Sequence, residues 1–283
     1  MSQPSLDRLR RFDISPKRKL GQNFLIDNNI LDVIADAAAL TTDDVVLEIG
    51  GGLGVLSEYL ADRVAHVHVI EIDTRLQGAL EDATGGRDNV TLSFADAIDL
   101  DFAALNPRPN KLVANLPYGI AATGVIQAFQ QLPELELVCV MTQREVAERL
   151  VSKPGGKLYG ATSVLVQAVA DQTSARKLSR NIFHPVPNVD SSLVTLSRSA
   201  PNPPASFVDL VHHAFAHRRK PLPGSLALAR RGKSDAETVK ARASATLITI
   251  GHDANTRAER LSPADFVALD TALREFAESD RQP

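Results

Sequence analysis

Between residues 45 and 142, five short apolar, β-branched runs alternate with helix-like stretches, and this alternation limits the fold more than any other feature of the chain. The runs are Val45–Ile49, Val67–Ile72, Val90–Phe94, Lys111–Asn115 and Leu137–Thr142. The helix-like stretches are Val55–Arg63, Arg75–Ala83, Thr123–Gln131 and Arg144–Val151. Strands that are apolar at nearly every position belong to a sheet covered on both faces, and strands separated by helices run parallel. An α/β fold with an open, mostly parallel sheet follows. Ser163–Ala170 and Ser192–Ser197 read as two later strands, candidates for an antiparallel edge. Ile30–Leu40 reads as a helix ahead of the sheet, with Asp27 or Asn28 as its N-cap. Three prolines in residues 199–204 mark a linker, and beyond it only helical periodicity is found: Phe207–His217, Ala236–Leu247 and Pro263–Phe276. The expected organisation is a sheet domain over residues 1–200, led by a basic N-terminal arm, and a small all-α domain over 205–283.

Composition excludes several classes. At 44% hydrophobic residues the chain has enough apolar surface to offset its ordering entropy. No stretch approaches the ~18 uninterrupted apolar residues of a membrane span. Cys139 is the single cysteine, so an intrachain disulfide and a Cys-based zinc site are impossible. His66, His68, His212 and His213 show no ligand spacing, and no metal is expected. The N-terminus has bases but no apolar run behind them, which makes the cytoplasm the expected location. Charge is unevenly divided. Residues 40–140 hold 15 acids and 5 bases, residues 1–22 hold 6 bases and 2 acids, and residues 198–260 hold 11 bases and 5 acids. Basic flanks around an acidic middle fit a polyanion partner or an ordinary solvated face.

The first strand runs into Glu48-Ile49-Gly50-Gly51-Gly52-Leu53-Gly54, and a helix follows. Glycines let a backbone turn sharply and approach a ligand, although a purely structural turn has the same composition. Counted from Gly50 or Gly52, the spacing does not fit the dinucleotide G-x-G-x-x-G, and no G-x-x-x-x-G-K-[ST] loop is present. The second strand ends in Val69-Ile70-Glu71-Ile72-Asp73; Glu71 lies 21 positions after Gly50, where a carboxylate can accept both ribose hydroxyl hydrogens of an adenosine, although Glu71 or Asp73 can also merely cap the next helix. Asp96, at the end of the third strand, can accept from an adenine amine. These groups fall at the carboxyl ends of successive strands, the crevice where open α/β sheets bind ligands. Their order resembles that of S-adenosylmethionine-dependent methyltransferases of the Rossmann-like class I type, which implies S-adenosyl-L-methionine as cofactor.

The fourth strand ends in Asn115-Leu116-Pro117-Tyr118. An adenine amine is a poor nucleophile because its lone pair is delocalised into the ring. Asn115 Oδ1 and the Leu116 carbonyl can take its two N–H bonds and localise that pair toward a methyl donor. Pro117 stiffens the turn, and Tyr118 can stack on an extracted base, a contact worth roughly 1–3 kcal/mol. A sulfonium donor needs no strong base, so catalysis reduces to in-line positioning. The same four residues also suit an ordinary turn with a buried tyrosine.

Two further segments, Lys19-Leu20-Gly21-Gln22-Asn23-Phe24-Leu25 and Phe183-His184-Pro185-Val186-Pro187-Asn188-Val189-Asp190-Ser191-Ser192, complete a pattern. With Asn115–Tyr118 and His217-Arg218-Arg219-Lys220 they closely resemble the ribosomal RNA adenine dimethyltransferase family, nearest its small-subunit, kasugamycin-sensitivity branch. The likeness covers about residues 17–275. It implies that Gln22, Asn23 and Leu25 close over the methionine end of the cofactor, with Gly50, Gly52, Glu71, Asp96 and Asn115 completing the shell. It implies that Phe183 faces Tyr118 across the target adenine, so that Asn115, Leu116, Tyr118 and Phe183 form the catalytic set. It also implies N6,N6-dimethylation of two adjacent adenosines in a hairpin near the 3′ end of small-subunit (16S) rRNA, on an assembling small subunit, with a late biogenesis role. Lys17, Arg18, Lys19, Arg218, Arg219 and Lys220 are the candidate RNA contacts, and a monomer is expected.

Three positions depart from the family's pattern. Gly119 stands where Asn is common. A triple proline is replaced by Pro185-Val186-Pro187. Pro221-Leu222-Pro223-Gly224 stands where the family usually continues a more helical, basic stretch. Rival readings are a macrolide-resistance type methyltransferase of large-subunit rRNA, a non-catalytic RNA-binding assembly factor and, remotely, a nicotinamide dehydrogenase. Methyl transfer to each subunit separates the first two from the small-subunit reading, and the glycine spacing disfavours the last.

Overall fold

The computed structural model of the chain describes residues 4–232 and 235–279. The elements in chain order are α1 (Pro4–Arg11), β1 (Phe24–Leu25), α2 (Asn29–Ala37), β2 (Val45–Ile49), α3 (Val55–Ala61), β3 (His66–Glu71), α4 (Gln77–Thr84), β4 (Val90–Phe94), β5 (Lys111–Asn115), α5 (Ala121–Gln131), β6 (Leu137–Gln143) and α6 (Arg144–Leu150). They continue with α7 (Ala161–Gln167), β7 (Ala170–Leu178), β8 (Phe183–His184), β9 (Ser191–Arg198), α8 (Ala205–Ala216), α9 (Leu222–Ala229), α10 (Ala236–Thr249) and α11 (Pro263–Ser279).

Seven strands form one sheet in the order β4-β3-β2-β5-β6-β9-β7. The first five are mutually parallel, and β9 and β7 add an antiparallel edge. The chain moves outward from β2 to β4, then returns to the far side of β2 with β5. That reversal of strand order opens a crevice at the carboxyl ends of β2 and β5. One sheet face packs Val46, Val113, Cys139, Met141 and Leu193 against Ile30, Leu31 and Ile34 of α2. α2 starts on an Asx turn, with Asp27 Oδ1 accepting from Asn29 N at 2.9 Å.

The chain divides into two compact units, Met1–Ala147 with Ala170–Ser199, and Glu148–Val169 with Ala200–Pro283. The break near residue 200 lies in the proline-rich segment, whereas residues 148–169 group with the C-terminal helices rather than with the sheet. The interior of the second unit holds Phe207, Phe266 and Tyr159, whose hydroxyl donates to the Leu261 carbonyl at 2.7 Å.

One local expectation is corrected. Residues 163–169 are not a strand, and of the expected run only Ala170 joins one, as the first residue of β7. Val164-Leu165-Val166 lies in α7, whose start is fixed by Ser163 Oγ accepting from Gly160 N at 3.1 Å and donating to the Arg149 carbonyl at 2.6 Å. A short buried apolar run has no periodicity that separates helix from strand. The edge strand is β7 instead, polar and exposed along its middle, as an edge protected from further pairing must be. Pro221–Gly224 opens a helix. Pro221 caps α9 and Pro223 sits in its first turn, where a missing N–H costs nothing.

The basic N-terminal arm is also largely docked. α1 buries Leu9, which packs with Ile14, Phe24, Leu53, Leu76 and Ala79. Arg8 is 9% exposed and donates to Glu58 at 2.7 Å, Asp82 at 3.3 Å and the Leu53 carbonyl at 3.3 Å. Arg11 pairs with Asp82 at 2.7 Å.

Candidate active site

The loop after β2 requires its glycines. Gly50, Gly52 and Gly54 have φ of 86°, 58° and 76°, a region other residues reach only with strain. A Cβ at Gly54 would lie 2.3 Å from Ala83 Cβ, and one at Gly50 3.0 Å from Pro117 Cδ. The second approach brings the loop against the exit of β5. Glu71, at the end of β3, accepts from Gly52 N and Asp73 N, each at 2.9 Å. Each oxygen keeps a further lone pair. Burial raises its pKa.

Glu48 and Ser57 escaped the sequence reading. Glu48 is 1% exposed, accepts from Ser57 Oγ at 2.6 Å, and is pushed up to about 8 by burial, with the nearby Glu71 charge adding to the shift. A carboxylate inside the apolar run Val45–Ile49, directly before the glycines, was the signal available.

Gln22 lines the crevice, with its amide held by protein groups. Its Nε2 donates to Asp73 at 2.9 Å and its Oε1 accepts from Lys17 N at 2.7 Å. Arg75 forks onto Asp73 at 3.0 and 2.6 Å, and Lys17 Nζ reaches Asp73 at 3.4 Å. The Arg75 guanidinium holds the Asp73 carboxyl well below the usual carboxylate range. Gln22 therefore fastens the segment before β1 to the end of β3. Lys17 is half-paired with protein. The Lys19 side chain is exposed and makes no ion pair with the described residues, and the Arg18 side chain lies outside the described residues.

Asn115 Nδ2 donates to the Asn23 carbonyl at 3.1 Å. A carbonyl can only accept, so this bond fixes which end of the amide is nitrogen and leaves Oδ1 as the free acceptor. Leu116 N donates to the Met141 carbonyl at 3.0 Å, while the Leu116 carbonyl accepts no hydrogen bond from the described residues. Tyr118 is half-buried, and its hydroxyl meets Ser191 Oγ at 2.9 Å. Ser191 is a site residue that the sequence reading quoted but gave no role.

The structure places Phe183 in the core. It is 1% exposed, opposite Leu25 in the β1–β8 pair, and its ring belongs to the core with Leu178, Ile182 and Leu193. The ring is enclosed there and does not line the crevice. Leu25 (6% exposed) and Asn23 line the crevice with Gly50, Gly52, Glu71 and Asn115.

Beside this crevice lies a cavity of about 430 Å³, lined among others by Lys19, Glu71, Ile72, Asp96, Tyr118 and Gln143, within the size range of ligand pockets. Asp96 Oδ1 accepts from Ile98 N at 3.0 Å, and no described residue holds its other oxygen. Ile72 is 47% exposed, an apolar side chain open to a flat ring. Glycines without Cβ, carboxylate lone pairs for hydroxyls and an apolar platform suit an adenosine-bearing cofactor.

In the second unit, Arg218 donates to Glu259 at 2.9 Å and to the Lys157 carbonyl at 3.2 Å. It is a structural tie rather than a free cation. Arg219 and Lys220 are exposed and make no ion pair with the described residues.

The strand order, the glycine loop and the acids at successive strand ends define an S-adenosylmethionine-dependent methyltransferase of the Rossmann-like class I type. A family profile described as ribosomal RNA adenine dimethylase matches residues 14–261, and the chain belongs to that family, whose members dimethylate rRNA adenine. Among similar proteins, the ribosomal RNA small subunit methyltransferase A of Rubrobacter xylanophilus is 43% identical, over 90% of this chain and 94% of that one. The Thermobifida fusca protein of the same name is 42% identical, over 90% of each. Among solved structures, a dimethyladenosine transferase from Plasmodium falciparum has a TM-score of 0.72 at 25% identity, covering 91% of this chain and 98% of that one. The 23S rRNA methyltransferase ErmE has a TM-score of 0.64 at 28% identity, covering 89% and 100%. No helix among the described residues is long and apolar enough to cross a membrane.

Proposed function

We propose that this chain dimethylates the N6 amines of two adjacent adenosines in a hairpin near the 3′ end of small-subunit rRNA, on an assembling small subunit. It then also acts as a late biogenesis factor, as a monomer in the cytoplasm. The observation that carries the chemistry is the pair of open acceptors at the exit of β5, Asn115 Oδ1 and the Leu116 carbonyl. An amine presents two N–H bonds, and two fixed acceptors take both, which localises the nitrogen lone pair. The cofactor, when bound, supplies an electrophilic methyl on a sulfonium. Leu25, Asn23, Gly50, Gly52, Glu71, Ile72 and Asp96 would hold it. Tyr118, steadied through Ser191, offers its ring to an extracted base. Acceptors fixed before the reaction need no reorganisation during it.

The small subunit is favoured by relatives 33–43% identical that carry small-subunit names. Lys19, Arg219 and Lys220 are the candidate phosphate contacts, being exposed and unpaired with the described residues. The test is methyl transfer from labelled S-adenosylmethionine to small subunits lacking the modification, beside modified small subunits and large subunits, with nucleoside mass spectrometry. Dimethyladenosine on the unmodified small subunit alone is expected. Label on the large subunit alone would replace the substrate assignment, and label on neither would leave an RNA-binding assembly factor.

A further inference from the structure

Gln143, the last residue of β6, is a half-buried amide with no hydrogen-bond partner among the described residues. Its place in the sheet is unambiguous. Asn115 is opposite Met141 in the β5–β6 register, and Gln143 is two residues beyond Met141. Side chains two apart share a sheet face, so Gln143 stands on the face of Asn115, one step nearer the crevice. Across the antiparallel ladder its partner is Ser191, the residue that steadies the Tyr118 hydroxyl. Its backbone is pinned, because the next residue, Arg144, donates its N–H to the Asp190 carbonyl at 2.8 Å. The Gln143 side chain lines the same cavity as Pro117, Tyr118 and Gly119. A free carboxamide has thus been placed beside the acceptors and the stacking ring.

We propose that Gln143 positions the target adenine by donating an Nε2–H to a ring nitrogen next to the reacting amine, N1 or N7, and that at N1 the same bond selects adenine over guanine. The inference rests on the reading of the β5 exit given above. Asn115 Oδ1 and the Leu116 carbonyl, in the adjoining crevice, take both amine hydrogens, so an amide reaching that edge of the base from Gln143 finds only ring nitrogens to address. A glutamine amide is a natural partner for adenine's edge. Adenine accepts at N1, where guanine carries a hydrogen.

The contact has a second consequence. After one transfer the amine keeps a single N–H, and one of its two acceptors loses its partner. A bond to the ring is unchanged by methylation. Gln143 therefore holds the base through the second transfer, and its loss weighs more heavily on the second step than on the first.

The test uses the full-length enzyme with Gln143→Leu and Gln143→Glu. Small subunits are assembled with adenosine, 1-deazaadenosine or 7-deazaadenosine at the target positions, and nucleosides are resolved by mass spectrometry. For the wild type, one deaza analogue should lower kcat/KM roughly fivefold to thirtyfold, the range of one or two hydrogen-bond increments. Both variants should lose a similar factor on adenosine, lose nothing further on that analogue, and accumulate monomethyladenosine, with cofactor affinity within about twofold of wild type. Three results overturn the proposal: variants that stay sensitive to the same analogue, an unchanged mono- to dimethyl ratio, or a parallel fall in cofactor affinity. A wild-type enzyme that leaves adenosine unmethylated overturns the underlying reading instead.

Discussion

The strand exits of the first unit and the basic run of the second handle polar groups in opposite ways. At the exits nearly every polar side chain is held by another group: Glu71 by Gly52 N and Asp73 N, Asn115 by the Asn23 carbonyl, Tyr118 by Ser191, Glu48 by Ser57. In the run His217–Lys220, Arg218 is the one side chain tied to another group among the described residues, and Arg219 and Lys220 are exposed. The difference follows from what each region must do. A reacting amine and a methyl donor must meet within tenths of an ångström, so the atoms around them are fixed by folding. A phosphate backbone offers many equivalent charges, and mobile cations suffice for it.

The sharpest way to break this contrast is at the held amide. Asn115→Ala should lower kcat about a thousandfold while moving cofactor affinity only a few-fold, measured by single turnover and by calorimetry, because it removes an acceptor that matters at the transfer itself. Equal losses in both would assign Asn115 to cofactor binding alone. Next in size is Gly54→Ala. A Cβ there meets Ala83 Cβ at 2.3 Å, on a backbone with φ of 76°. Left-handed strain and overpacking together should cost on the order of 3 kcal/mol of stability by denaturant titration. An unchanged midpoint would show that α4 yields, and that the loop is not rigidly held.

Much of this was legible in the sequence because spacing carries it. The βα alternation, the glycine loop, Glu71 and Asn115–Tyr118 fall at strand ends, and strand ends are where periodicity changes. What escaped reading depends on contacts between residues far apart in the chain. Nothing near Gln22 shows that it binds Asp73, and nothing near Phe183 shows that β8 pairs with β1 and turns its ring into the core. The strand β7 was missed for the opposite reason: between its buried ends, Ala170 and Leu178, it is exposed and mostly polar and is held by its ladder to β9, so it carries little hydrophobic signal. Arg8 and Arg218 entered a count of basic charge, although each is committed to ion pairs within its own unit.

Neighbouring strands of the first unit also carry two buried titrating groups with opposite signs. Glu48 is raised by burial to about 8, so its folded form favours the proton. The stability this contributes is complete below the ordinary value of 4.5 and is lost as pH rises through about 8. Glu48→Gln should remove that decline and become more stable relative to wild type with each step from pH 6 to 9. His68 behaves in reverse. It is 2% exposed, its Nε2 meets the Pro107 carbonyl at 2.7 Å, its Nδ1 has no partner, and burial lowers its pKa. Its neutral form favours the fold above the ordinary 6.5, and that stability is lost as pH falls below it. Wild type should therefore lose up to about 1.4 kcal/mol per pH unit below 6.5 from this group, and His68→Gln should flatten the slope. Denaturant midpoints from pH 5 to 9 check both signs in one series.

The smallest effect tests the other side of the contrast, and it divides three adjacent bases that look alike in sequence. Each phosphate contact adds roughly 0.7–0.9 to the slope of log K against log salt. Arg219→Ala and Lys220→Ala should each reduce the slope for small-subunit binding by about that amount, with little change in thermal stability. Arg218→Ala should do the opposite. Its guanidinium joins Glu259 to the Lys157 carbonyl, so its removal loosens the second unit while leaving the salt slope near wild type. If Arg218 lowers the slope as much as its neighbours, its ion pair opens on RNA, and the line between held and free charge in this unit is drawn by the partner rather than by the fold.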